Sequence, residues 1–186
     1  PCFFMQAIEA GRLITGNEIV HKELIDEVAR IVPDFTLDST PPEMAYYIYA
    51  AVKKRFGGQD LYKGIKEESN RMALALYPKL KDKVQRSGDR LLAAVEIAIA
   101  GNVIDYASEN RLNIDREIEA IFQDGFVSVG RKVFQYEEFR EDLMRAGKVL
   151  YLADNAGEVV FDRVLIEEFC GKKDVTYAVR DKPVIN

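Results

Sequence analysis

The sequence predicts a multidomain α plus α/β chain, with an all-helical N-terminal domain over residues 1–146 and the start of an α/β domain over residues 147–186. Two observations carry this division. Up to residue 146 the apolar residues recur at helical spacing, whereas from Gly147 two short β-rich runs flank a single helical one. Composition sets the frame: 48% hydrophobic residues in 186 support a substantial buried core, and a net charge of -5 with 31% charged residues excludes a disordered chain.

Asn17 caps a helix with apolar positions Ile19, Leu24, Ile25, Val28 and Val32. His21 falls on its polar face, among Lys22, Glu23, Asp26 and Glu27, and is expected at the surface with no role as a base. Thr40, Pro41 and Glu43 mark the start of the next helix, which runs through Met44, Tyr47, Ile48 and Ala51 and stops at Gly57 and Gly58. Its tyrosines, Tyr46, Tyr47 and Tyr49, are expected to pack. Residues 61–77 predict an amphipathic helix broken or kinked by Pro78, and residues 89–108 a long, mostly buried one. Two shorter amphipathic helices follow, over 114–123 and 136–145.

After Gly147, residues 148–153 form an apolar run before a turn, residues 158–169 have helical periodicity, and Gly171 stops them. Residues 174–179 are again rich in β-formers, which completes a β-α-β unit and reads as the beginning of a Rossmann-like α/β domain. A parallel sheet needs more strands and cover on both faces. The start at Pro1 without Met and the end after two strands therefore predict a fragment, truncated at its C-terminus. The uncovered sheet edge is compatible with self-association into a homo-oligomer.

Several function classes are disfavoured. No run of Lys or Arg suggests nucleic-acid binding. The most apolar stretch, residues 91–104, is interrupted by Glu96 and Asn102 and is too short for a bilayer of about 30 Å, and no signal peptide is visible. Cys2 and Cys170 have neither disulfide-framework nor zinc-ligand spacing and are expected to be buried or incidental thiols, so a reducing, cytoplasmic setting is expected.

The segment Asp154-Asn155-Ala156-Gly157-Glu158 follows the first strand and opens the helix after it, the place where open α/β sheets bind ligands. A carboxylate and an amide oxygen suit a hard cation such as Mg²⁺ or Mn²⁺. The small residues Ala156 and Gly157 would let a phosphate approach the N–H groups at the helix start. A plain helix cap is the competing reading of the same residues. Asn102 and Asp105 lie three apart in the most apolar helix, where they would face one way as a site pair or as a local hydrogen-bonded structure. Lys66, among Lys63, Glu67 and Glu68, reads from its neighbours as a solvated surface charge.

Three motifs, Asp154 to Asp162, Gly101-Asn102-Val103-Ile104-Asp105 and Lys182-Pro183-Val184-Ile185-Asn186, resemble in order those of the damage-control phosphatases, the domain-of-unknown-function-89 proteins, in an archaeal-type form. The resemblance implies a metal-dependent phosphatase, a phosphoric monoester hydrolase, acting on small phosphorylated metabolites such as sugar phosphates or damaged phosphometabolites, with Mg²⁺, Mn²⁺, Co²⁺ or Ni²⁺ as cofactor. It implies Asp154 and Asn155 as metal ligands and catalytic residues, and Lys66, Asn102, Asp105, Gly157, Glu158 and Asn186 as residues lining the substrate site. In the family pattern an aspartate directly after the position of Asn186 supplies a further ligand. This chain ends before it and before the rest of the α/β domain, so the resemblance implies an incomplete site in the chain as written. Archaeal members often begin Cys-x-x-Cys; here the second position is Met5. Asp154 as a nucleophile and a water positioned by the metal both fit the pattern, the second being favoured. Rival readings are a non-catalytic metal- or phosphometabolite-binding scaffold and, less well supported, a methyltransferase, whose cofactor loop usually carries more glycines than the single Gly157.

Overall fold

The structure, a computed structural model, describes residues 2–58, 60, 62–103 and 135–179. The described residues are mostly helical, with one small sheet of two parallel strands. They fall into two compact units, residues 1–64 and 65–180. Among them, no helix is long and apolar enough to cross a membrane.

The first unit contains α1 (Cys2–Ile14), α2 (Glu18–Ile31) and α3 (Pro41–Arg55). Asn17 caps α2 through its side-chain oxygen, which accepts the Ile19 N–H at 3.0 Å. Thr40 stands at the cap of α3 with Pro41 in the first turn, where a missing N–H costs nothing. Ala7, Ala10, Leu24, Val28, Ile48 and Val52 form the core of the three helices. His21 departs from expectation. It is half-buried, its ring lies beside Gly11 of α1, and Nε2 donates to the Thr15 carbonyl at 2.7 Å. A glycine in α1 leaves room for the ring, so the face that is polar by composition is partly an interface. Of the three tyrosines only Tyr49 is buried, with its hydroxyl on Asp60 at 2.9 Å; Tyr46 and Tyr47 are exposed.

The second unit holds all but the first two residues of α4 (Lys63–Arg86), which continues through Pro78 where a break or kink was expected. The carbonyl that Pro78 leaves without its helical donor belongs to Leu74, which is 52% exposed and accessible to water. Beyond the proline, Leu80 and Val84 are fully buried, and that burial holds the last turns in place. Helix α5 (Arg90–Val103) starts at Asp89, whose carboxylate accepts the Leu92 N–H at 3.0 Å. The same carboxylate accepts from Tyr136 Oη at 2.9 Å and so ties α6 (Tyr136–Arg145) to the start of α5. The expected helix over 114–123 and the end of the one over 89–108 lie outside the described residues.

Strand β1 (Lys148–Leu152), helix α7 (Glu158–Ile166) and strand β2 (Asp174–Ala178) form the β-α-β unit. The strands are parallel, with Val149 opposite Val175 and Tyr151 opposite Tyr177. These pairs face the helices, whereas Leu150 and Leu152, at 65% and 72% exposure, point the other way. Helix α7 is seated on α5 at Gly101: a Cβ built on Gly101 would lie 2.7 Å from Cβ and Cγ of the fully buried Phe161. Glu167, just past α7, accepts from Tyr77 Oη at 2.6 Å and from Arg163 Nε at 2.7 Å and pairs with Lys81 of α4 at 2.9 Å; burial pushes its carboxyl up, and these three partners outweigh it and pull the carboxyl down to about 2.

Replacing Gly101 with Ala sets two effects against each other. Helix propensity favours Ala by about 0.5–1 kcal/mol, while the clash with Phe161 costs about 1–3 kcal/mol. A net loss of stability is expected in denaturant unfolding; an unchanged or raised midpoint would contradict the Gly101–Phe161 contact.

Candidate active site

Strand β1 leads into a turn that enters α7 with Gly157 at φ 84°, a conformation that glycine adopts without a steric penalty. The turn is fixed from α4. The buried Gly157 N–H donates to Asn70 Oδ1 at 2.7 Å, a contact between residues 87 positions apart. A phosphate that used this N–H would therefore have to displace the Asn70 amide oxygen.

Asp154 is exposed at the tip of the turn, and Asn155 is half-buried beside it. Asn155 Nδ2 donates to Asp154 Oδ2 and to Glu158 Oε2, both at 3.3 Å. Glu158 also takes the Asn155 main-chain N–H, while the Asn155 carbonyl accepts from Val159 N at 3.3 Å. Glu158, the first residue of α7, thus reaches back over the turn that precedes the helix. The cap of α7 is Gly157, with no side-chain cap hydrogen bond, so Asp154 and Asn155 are not its cap; they set an exposed carboxylate next to an amide at the carboxyl end of a strand.

One helical turn further on, Asp162 is only 3% exposed. Its Oδ1 accepts from Tyr151 Oη at 2.6 Å and its Oδ2 from Tyr177 Oη at 3.2 Å. The two rings stack at 5.7 Å between centroids, as their register on adjacent strands requires. Burial raises the Asp162 carboxyl above the usual carboxylate range, the Asp154 charge adds to this, and the tyrosine hydrogen bonds oppose it. Burial and the charges of Asp162 and Asp154 raise Glu158 in the same way. Both tyrosines are pushed far above their ordinary value by burial and by Asp162, so they remain hydrogen-bond donors.

Glu158, Asp162, Tyr151 and Asn102 form the polar part of a cleft of about 300 Å³ whose other walls include Val95, Ile99 and Leu165. The structure thus brings together Asp154, Asn155, Gly157 and Glu158 in one turn and sets Asn102 on the cleft that Glu158 also lines. Lys66 lies one turn before Asn70, on the same side of α4. Asp105 and Asn186 lie outside the described residues. Cys170 is an exposed free thiol, which excludes the buried one of its two expected readings. Among the described residues, no group of three or more His, Cys, Asp or Glu side chains is arranged to hold a metal ion.

Sequence reasoning missed Asn70 and the two tyrosines. Nothing local marks Asn70. Asp162 carried a signal: it is four residues from Glu158, and it is an acidic residue among Val159, Val160, Phe161, Val164 and Leu165.

A model of the family described as the damage-control phosphatase ARMT1-like domain matches residues 1–186. An uncharacterized protein of Methanocaldococcus jannaschii is 32% identical over 190 residues, covering 100% of this chain and 62% of that protein. A protein of Archaeoglobus fulgidus named as a damage-control phosphatase is 30% identical over 190 residues, covering 100% of this chain and 64% of its own length. The crystal structure of a DUF89 family protein from Pyrococcus horikoshii superimposes with a TM-score of 0.78 over 98% of this chain and 62% of that one, at 24% identity, which shows a shared fold. The chain therefore spans a little under two thirds of the length of these relatives.

Two outcomes follow from the geometry of the turn. Asn70→Ala leaves the buried Gly157 N–H without its acceptor and is expected to cost about 1–3 kcal/mol in denaturant unfolding; no loss would mean that the contact does not hold the turn. Because the folded state raises the Asp162 pKa, the unfolded chain gives up this proton first as pH rises. The stability of the protein relative to its Asp162→Asn variant should then fall as pH rises from the ordinary carboxylate value of about 3.9 through the raised folded value. Thermal unfolding of both across that range checks it, and a constant difference would contradict the raised pKa.

Proposed function

The chain belongs to the damage-control phosphatase ARMT1-like domain family, and from that premise we propose that the protein is a metal-dependent phosphatase of small phosphorylated metabolites, such as sugar phosphates or damaged phosphometabolites. The observation that carries the reading is the β1–α7 turn, where an exposed Asp154 carboxylate and the Asn155 amide stand together at the start of a helix. The naming of a relative as a damage-control phosphatase supports the same class of chemistry.

The donor set fits a hard divalent cation. Asp154 and Asn155 offer oxygen ligands, and the carboxylates of Glu158 and Asp162 lie behind them, Glu158 raised by burial and by the charges of Asp162 and Asp154, and Asp162 by burial and by the charge of Asp154. Two protein ligands suffice where waters and substrate phosphate oxygens complete the coordination, as is common for Mg²⁺. When bound, such a cation, Mg²⁺, Mn²⁺, Co²⁺ or Ni²⁺, would offset the phosphate charge and polarise a phosphate oxygen.

The protein's own groups do the rest. Asn155, held by Glu158 and beside Asp154, keeps the two ligating side chains in one place. Lys66, on the Asn70 side of α4, is the cation of this chain that we assign to the substrate phosphate. Asn102 and the cleft it lines would receive the carbon part of the substrate. These roles are electrostatic and positional, which is where phosphoryl-transfer catalysis mostly lies.

Metal-free full-length protein should release phosphate from a panel of phosphometabolites only when Mg²⁺, Mn²⁺, Co²⁺ or Ni²⁺ is restored. The Asp154→Ala variant should stay folded and lose this turnover by at least about 100-fold. Turnover that persists in the variant would remove Asp154 from the site, and binding of phosphometabolites with no turnover under any metal would favour a binding protein.

A further inference from the structure

Asp162 poses a physical question that the cation reading leaves open. Burying a carboxylate is costly unless it is fully partnered, and an apolar residue would pack at this position of α7 without that cost. Instead, the fold commits two tyrosines to it, one from each strand, and each takes a different carboxylate oxygen, at 2.6 and 3.2 Å. Tyr151 lies three residues before Asp154 on the same chain segment, and Asp162 one turn after Glu158 on the helix that closes the turn. The three side chains therefore join the strand entering the Asp154 turn, the helix leaving it and the neighbouring strand. The tyrosine rings stack on each other, and each hydroxyl ties its strand to α7 through Asp162.

We propose that Tyr151, Asp162 and Tyr177 form a positioning clamp that sets the spacing of Asp154 and Asn155 at the β1–α7 turn, without themselves touching the cation. The inference rests on the assignment of Asp154 and Asn155 as cation ligands and adds to it the residues that hold them in register. The clamp is the more distant layer of the site: its members act on Asp154 through the backbone of the turn and on the ligand pair through that geometry. Residues that orient metal ligands from behind commonly change metal affinity about 10- to 100-fold when altered.

The test is Mn²⁺ affinity of the full-length protein, measured by calorimetry or by the electron paramagnetic resonance of the free ion, at a temperature where each variant is folded. Tyr151→Phe removes one hydroxyl and no charge, so it separates geometry from electrostatics. It should weaken Mn²⁺ binding about 10- to 100-fold, Asp162→Asn should do the same, and the double variant should be no weaker than the weaker single, because one unit has been broken once. Tyr177→Phe, which loses the longer bond, serves in the same way if Tyr151→Phe does not fold. A folded tyrosine variant with wild-type Mn²⁺ affinity, or losses that add in the double variant, would overturn the clamp. Asp154→Ala, measured alongside, keeps the two readings apart. If it loses binding while the tyrosine variants keep theirs, the clamp alone falls; if it binds as the wild type does, the ligand assignment falls and the clamp's role with it.

Discussion

A pair of parallel strands cannot cover its own faces, so everything at the β1–α7 turn depends on how α7 is seated against α5. The seat is a close contact, with Phe161 lying in the space that Gly101 leaves open. Burying the phenyl ring there is worth about 1.5–3 kcal/mol. It also fixes the rotation of α7 about its axis. With Phe161 turned to α5, Asp162 lies within reach of the tyrosines on the strands, and Glu158, one turn earlier, falls at the mouth of the turn. The Gly157–Asn70 contact then ties that turn to α4 from the other side. Packing, capping and the candidate chemistry are linked through one helix–helix contact.

The second constraint is electrostatic. Burial and the charges of neighbouring carboxylates hold Glu158 and Asp162 above the ordinary carboxylate range. A fold built only for stability gains nothing from such an arrangement, since like charges and buried carboxylates both cost free energy. A cation at Asp154, as proposed above, would offset this cost.

The sequence made much of this legible. The β-α-β unit showed itself because β-rich runs and a helical run are separated by a turn of small and polar residues, and both strands and α7 fall where those runs do. Asn17 announced its helix by a side-chain cap that the fold keeps, whereas Thr40 and Pro41 mark the start of theirs with no side-chain cap hydrogen bond from Thr40. Where local rules failed, distant contacts had prevailed. Pro78 ought to interrupt α4, yet the burial of Leu80 and Val84 carries the helix past it. His21 lies on a face that is polar in composition, but Gly11 of the preceding helix makes that face an interface. In the site, Asp154, Asn155 and Glu158 are neighbours in the chain and could be found together. Asn70 reaches the turn across 87 positions, and Tyr151 and Tyr177 become partners of Asp162 only through the strand register. Those links exist in the folded chain and have no local signature.

The most direct measurement of the central claim is the place of the cation itself: crystals of the full-length protein soaked in Mn²⁺ with inorganic phosphate, with anomalous scattering recorded at a wavelength sensitive to manganese. The account predicts an anomalous peak within coordination distance of the Asp154 carboxylate and the Asn155 amide oxygen, about 2.0–2.3 Å from each, with a phosphate oxygen on the same ion. Manganese bound elsewhere, with Asp154 and Asn155 left facing solvent, would contradict it.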